Sequence, residues 1–211
     1  MEIAVLNIKG ESTGRHILLD PSIFKRDYND HLIYFDIKSY LASQRQGTNK
    51  TKERSKLSGS TRKLHRQKGT GSSRKGDIHN PLFRGGARVF GPRPRSFHQK
   101  LNKLAKSLVK KSILSKKVKD NAIKVVEDFS FEKPNTKKFL SLLRSFKLEK
   151  KKILFVLKTP DKKLYLSARN LQGKKIRTVN EINSYDLLNS VKLIFLESAF
   201  CQIQENLKKV I

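Results

Sequence analysis

Sixteen lysines and arginines lie between residues 45 and 100, opposed there only by Glu53 and Asp77, and eight of the chain's eleven glycines are set among them. Nine of the sixteen are arginine, whose planar fork of donors suits phosphate oxygens and base edges better than a point charge does. Glycine beside a cation lets backbone amides approach an anion and opens dihedrals that other residues avoid. Phe83, Phe90, Phe97, His65, His79 and His98 are interleaved with the cations, and each ring offers a face to an unpaired base. The chemistry these types and spacings support is non-covalent: neutralising and threading a polyphosphate. The residues assigned to it are Arg45, Lys50, Lys52, Arg54, Arg62, Lys63, Arg66, Lys68, Arg74, Lys75, Arg84, Arg88, Arg93, Arg95 and Lys100.

Sharper motifs fail when tried. Gly69-Thr70-Gly71 begins a dinucleotide fingerprint, but the third glycine it needs is replaced by Arg74. A phosphate loop laid on Gly71 and Gly76 then requires lysine and a hydroxyl residue, where Asp77 and Ile78 stand. Neither follows a predicted strand. His16, His31, His65, His79 and His98 have no metal-ligand spacing with one another or with cysteine. The single cysteine, Cys201, reads as a buried structural thiol in an apolar helical stretch. Two acids in the whole basic segment leave little for general acid–base work. The sequence therefore predicts no catalytic residue, no metal and no cofactor. Composition alone leaves three classes open: an RNA scaffold protein, a free-standing RNA-binding regulator, and an RNA-processing enzyme. RNA ranks above DNA because no reading helix or zinc module is visible.

The whole chain of 211 residues carries a formal net charge of +29, and a compact fold with that charge favours a polyanionic partner. An anionic membrane is the other candidate, but no run of about twenty apolar residues is present to span one. The start of the chain lacks the pattern of a signal peptide, and Glu2 argues against a transit peptide. One cysteine allows no internal disulfide, which fits a reducing compartment. Cytoplasmic residence without membrane association is the expectation.

The elements that must carry the basic segment lie on either side of it. Ile33, Ile37, Tyr40 and Leu41 form an amphipathic stripe on a predicted helix over residues 29–43, with Asp27 or Asn29 as its cap. Ala105, Leu108, Val109, Ser112 and Ile113 form another over residues 101–119. Beyond these, apolar runs at 123–126, 153–157, 176–179 and 191–196 read as strands. They alternate with helical faces around 139–146, 163–169, 185–188 and 198–209, while residues 3–8 add a strand or edge pairing. Short apolar strands separated by helices predict a parallel sheet covered on its faces. The expected architecture is a single globular α/β domain with a mostly parallel central sheet flanked by helices, plus a long basic extended internal loop. Residues 1–44 and 101–211 would form the body and residues 45–100 the loop. So polar a stretch buries too little apolar surface to offset its ordering entropy, and alone it is expected to be largely disordered.

Several runs within this segment resemble one family. They are Arg45-Gln46-Gly47-Thr48-Asn49-Lys50-Thr51-Lys52, Arg62-Lys63-Leu64-His65-Arg66-Gln67-Lys68-Gly69-Thr70-Gly71, Asn80-Pro81-Leu82-Phe83-Arg84-Gly85-Gly86 and Val89-Phe90-Gly91-Pro92-Arg93-Pro94-Arg95-Ser96-Phe97. With Lys100-Leu101-Asn102-Lys103 and Ala168-Arg169-Asn170-Leu171, the chain resembles the family of protein four of the large ribosomal subunit, in its bacterial or organellar form. The resemblance implies a structural constituent of that subunit, with a globular body on its outer side and a loop threading into large-subunit ribosomal RNA. Neighbouring ribosomal proteins are implied partners. By the same resemblance His65, Arg66, Gln67, Lys68, Gly69, Thr70 and Gly71 form a tip at the wall of the nascent-peptide exit tunnel, where the passing peptide is a further partner. Arg45, Lys50, Lys52, Arg54, Arg84, Arg93 and Arg95 would line the stem. The chain departs from the family pattern at Leu64-His65, where many members have Pro-Trp, and at Ser72-Ser73-Arg74, where Arg-Ala-Arg often follows the second glycine. His65 then stands where an indole would stack.

Overall fold

The computed structural model describes residues 1–209. Its chain divides into two compact units, Met1–Leu41 with Lys100–Ile211, and Ala42–Gln99. The first unit is built on a six-stranded sheet in the order β2-β1-β3-β6-β4-β5. The strands are β1 (Glu2–Leu6), β2 (Ser12–Leu18), β3 (Ile123–Val126), β4 (Ile153–Leu157), β5 (Lys174–Thr178) and β6 (Lys192–Leu196). Every pairing is parallel except that of β1 with β2. The interior strands are continuous apolar runs because both their faces are covered: all five residues of β4 are buried, as are Leu193–Leu196 of β6.

The covering helices are α1 (Pro21–Phe24), α2 (Asp30–Ser43), α3 (Lys103–Lys119), α4 (Thr136–Ser145), α5 (Lys162–Ala168), α6 (Ser184–Asn189) and α7 (Glu197–Lys208). At α2, α4, α5 and α6 the start follows from a side chain that accepts from free first-turn amides. Asn135 accepts from Lys137 and Lys138, Asp161 from Lys163 and Leu164, and Asn183 from Asp186. At α2 it is Asn29, whose Oδ1 accepts from the Leu32 amide at 3.0 Å. The core runs through Phe139, Phe155, Phe195 and Phe200, all at most 1% exposed, and no member of it lies between residues 45 and 100.

Four departures from the sequence reading have physical causes. β2 went unpredicted because it is an edge strand with burial only at Thr13 and Ile17, so its residues carry no apolar alternation. α1 is too short for periodicity, although Ile23 and Phe24 are fully buried. On α2 the predicted stripe is only partly buried: Ile33 is buried and Ile37 and Tyr40 are half-buried, but Leu41 is exposed, while Asp36 and Ser39 are buried as well. Polar residues are tolerated there because partners meet them; Ser184 donates its hydroxyl to the Asp36 carboxylate. Serines do similar work on α3. Ser112 Oγ donates to the Asp27 carbonyl (2.9 Å) and accepts from Asn29 N (3.1 Å), while Ser115 Oγ donates to Ile23 O (2.9 Å) and accepts from Arg26 N (3.1 Å). These bonds fix the connection from α1 into α2. Cys201 is exposed on α7, contrary to the buried thiol the sequence suggested, because the helix turns Phe200 and Ile203 inward instead.

Candidate nucleic-acid interface

Past the end of α2, residues 44–99 contain one short element, a 3-10 turn at Arg54–Lys56. The outgoing and returning arms are nevertheless tied to each other at their base. Arg95 N donates to Gly47 O (3.1 Å), Thr51 N to Pro92 O (3.2 Å) and Arg88 N to Lys52 O (3.1 Å). Glycine is what permits the approach. A Cβ on Gly47 would lie 2.1 Å from the Arg95 carbonyl oxygen, and one on Gly91 would lie 2.0 Å from Thr51 Oγ1. The sequence reading had these glycines making room for phosphate; at these two positions they make room for the chain itself.

Side chains reinforce the ties. The Phe97 ring meets two guanidiniums, with Arg45 Cζ 3.8 Å and Arg95 Cζ 4.7 Å from its centroid. Both acids of the segment are paired across the arms. Glu53 meets Arg93 at 3.1 Å, and Asp77 takes the Arg54 guanidinium through both oxygens, at 2.6 and 3.3 Å. Asp77 and His79 are buried, with His79 Nδ1 3.7 Å from the Asp77 carboxylate. The His79 carbonyl accepts from Ala87 N at 3.1 Å, and Ala87 is buried as well. A small polar node therefore replaces the apolar core that this composition cannot supply. It went unpredicted, although the isolation of two acids among so many cations was a usable signal.

The tip is built differently. Every residue from 61 to 74 is exposed. Within this stretch Arg62, Lys63, Arg66, Lys68 and Arg74 meet no acid among the described residues, and Lys63 Nζ donates only to the neutral Gln67 side chain. His65, Gln67, Gly69, Thr70 and Gly71 share that exposure, and a Cβ at Gly69 or Gly71 would meet open space. Back along the arms, Arg45, Lys50, Lys52, Arg54, Arg84, Arg88, Arg93 and Arg95 are exposed, Lys75 is half-buried, and Lys100 falls in the body unit. Lys50 is held below the usual lysine range, chiefly by its hydrogen-bonded contact with Lys56 and the repulsion of that same ammonium. An incoming anion would relieve that strain.

The rings divide. Phe90 is fully exposed at a positive φ of 55°, and His65 is exposed, so both present faces. His79 is buried and cannot stack on a base, and Phe97 is already stacked by arginine. His98 is exposed as well, and Phe83 is half-buried, so the arrangement offers a dense array of unpaired cations, exposed rings at His65, Phe90 and His98, and a pre-tied base. No group of histidine, cysteine and acidic residues suited to a metal occurs among the described residues.

Comparison with known proteins agrees with this character. The Ribosomal protein L4/L1 family model matches residues 17–206. The chain is 53% identical over 208 residues to the large ribosomal subunit protein uL4 of Parabacteroides distasonis, covering 99% of this chain and all of that one. Its identity to the uL4 proteins of Porphyromonas gingivalis and Flavobacterium johnsoniae is 53% and 51%, again over 99% of this chain and the whole of each relative. The chain belongs to the ribosomal protein L4/L1 family, a family of ribosomal structural proteins and not of enzymes.

Proposed function

We propose that this chain is a structural constituent of the large subunit of the cytoplasmic ribosome, and that its basic segment binds and helps fold large-subunit ribosomal RNA. The observation that carries the reading is the exposed stretch 61–74 with its five unpaired cations. Cations already paired with acids have little charge left to offer, whereas these five can replace the counterions condensed on phosphates, a gain in entropy that strengthens as salt falls. The tied base shortens the part of the chain that must be ordered on binding, which lowers the entropic cost of the complex.

The residues His65, Arg66, Gln67, Lys68, Gly69, Thr70 and Gly71 are assigned to the wall of the exit tunnel, beside the nascent peptide. The same stretch supports this: it is wholly exposed, and its backbone tie to the returning arm, Leu64 N to Gly76 O at 3.1 Å, lies outside residues 65–71, so those residues can enter a narrow gap between RNA helices. Arg45, Lys50, Lys52, Arg84, Arg88 and Arg95 then meet phosphates along the stem, with neighbouring ribosomal proteins against the body.

The reading is tested by removing residues 48–94 and measuring binding of a large-subunit ribosomal RNA transcript. The core lies outside this stretch, so the body should keep its cooperative melting while tight RNA binding is lost. Full affinity in the truncated chain would place the site elsewhere.

A further inference from the structure

Outside the basic segment, the body carries a cleft of about 360 Å³ between α3, the turn at Val179–Glu181 and α7. Lys103, Lys106, Ser107 and Lys110 line it from α3. Their spacing of three, four and seven residues sets them on one face of the helix. Ile182, Ile203 and Leu207 add an apolar wall, and Asn180 and Asn206 bring neutral amides to it. No acid lines the cleft among the described residues, so its charge is wholly positive.

Two observations point to a missing ligand. Ser107 is 7% exposed, yet its hydroxyl has no hydrogen-bond partner among the described residues. A helical serine ordinarily returns its hydroxyl to a carbonyl one turn back, as Ser115 does to Lys111 O at 2.9 Å on the same helix. Independently, Lys110 is half-buried, and burial pushes its ammonium below the usual lysine range despite the attraction of Asp36. A buried hydroxyl without a partner and a desolvated ammonium are both unfavourable until an anion arrives. The first turn of α3 adds to this: it holds no acid, and Asn102 makes no side-chain cap, so its amides remain available.

We propose that this cleft takes a small soluble ligand, a free nucleotide carrying a chain of two or more phosphates. The phosphates sit on Lys103, Lys106 and, after rotation of its side chain, the Ser107 hydroxyl, with Lys110 as the third cation. The base lies against Ile182, Ile203 and Leu207, and the amides of Asn180 and Asn206 meet its polar edge. Charge density separates a free nucleotide from a strand. Each phosphodiester of a strand carries a single charge, whereas the tail of a free nucleotide ends in a dianionic phosphate with a further charge behind it. Three ammoniums and a hydroxyl set within about 10 Å of one helix match the second. Inorganic pyrophosphate would satisfy the cations but leave the apolar wall bare. The proposal is independent of the RNA reading of the basic segment.

The test is acetylation of lysines in the full-length chain, mapped by mass spectrometry, alone and with ADP, GDP, inorganic pyrophosphate or a short unpaired oligoribonucleotide. ADP or GDP should protect Lys103, Lys106 and Lys110 severalfold, and at about a tenfold lower concentration than pyrophosphate, because the base adds its own contact. Lys50, Lys52, Lys63 and Lys68 are read in the same digest; there nucleotide and pyrophosphate should act alike, through charge alone. Cleft lysines that respond equally to pyrophosphate, or only in step with those of the basic segment, would overturn the assignment to a nucleotide. Protection by the oligoribonucleotide without protection by ADP or GDP would overturn it in favour of a strand, and protection by none would overturn the site. Ser107→Ala removes a buried hydroxyl without a partner, so that chain should melt no lower than the parent and need severalfold more ADP for the same protection. A lower melting temperature, or parental protection by ADP, would also overturn the proposal.

Discussion

Replacing Arg62, Lys63, Arg66, Lys68 and Arg74 together with alanine removes five cations from a stretch in which every residue is exposed and none of the five meets an acid. Since no internal contact is lost beyond that of Lys63 with Gln67, the change should act on binding and leave the fold alone. If each cation faces one phosphate of an unpaired strand, the slope of log affinity against log salt should flatten by about 3.5, or about 0.7 per charge. Between about 50 and 200 mM salt, that slope corresponds to about a hundredfold of affinity that the parent loses and the variant no longer has to lose. The assay is filter binding of a large-subunit ribosomal RNA transcript across that range. A companion Arg54→Ala/Arg93→Ala chain sharpens the result. Those two cations already meet Asp77 and Glu53, so their removal should flatten the slope much less per charge while loosening the base of the segment. A five-fold variant whose slope equals that of the parent would refute the counterion argument. So would a uniform loss of affinity at every salt concentration, which would mean the residues act through shape alone.

Other consequences are equally direct. Gly47→Ala forces a side chain into a positive φ of 68° and onto the Arg95 carbonyl, a strain of about 1–2 kcal/mol from the dihedral alone. The Arg95 amide, which donates to Gly47 O, should then exchange with solvent about tenfold faster or more, while amides of β6 keep their protection; unchanged exchange at Arg95 would show that the arms are not tied there. Asp20 bonds Lys208 at 2.7 Å, and this contact first, then the Ser22 amide, lowers its pKa from 3.8 to about 2. A carboxylate whose folded value is depressed stabilises the fold above its unfolded value and loses that contribution as pH falls towards the folded one. The Asp20 contribution should therefore disappear between about pH 4 and pH 2. In Lys208→Ala the carboxyl titration followed by NMR should move up toward 3.8, and no movement would remove Lys208 as the cause.

Much of the body was legible because its elements obey single-chain rules. β3 and β4 match the predicted runs residue for residue, since strands buried on both faces are continuous in apolar residues and need no neighbour to reveal them. β2 and α1 were hidden because one is an exposed edge and the other is a single turn, so neither has a repeating pattern. On α2 the stripe located Ile33 and Ile37 on the inner side but not Asp36, whose burial depends on a partner distant in sequence, Ser184. In the basic segment, the cations announced themselves by composition, and the free tip followed from the resemblance of its motif. The division of labour among the glycines did not. Gly47 and Gly91 look like Gly69 and Gly71 in the sequence, and only the crossing of the two arms separates those that admit backbone from those that face open space. His79 was read as a stacking ring for the same reason; its burial beside Asp77 depends on a fold-back that no local pattern encodes.

We propose above that residues 65–71 lie within folded large-subunit RNA at the tunnel wall. It is tested most directly with a chain in which Cys201, the only cysteine and an exposed one, is replaced by serine and Gln67 by cysteine. An iron chelate is tethered to the new thiol before the protein is assembled into large subunits. Hydroxyl radicals released there should cut large-subunit ribosomal RNA at the tunnel constriction and cleave a stalled nascent chain within it. Cuts confined to RNA on the outer surface of the subunit, with the nascent chain intact, would contradict the account.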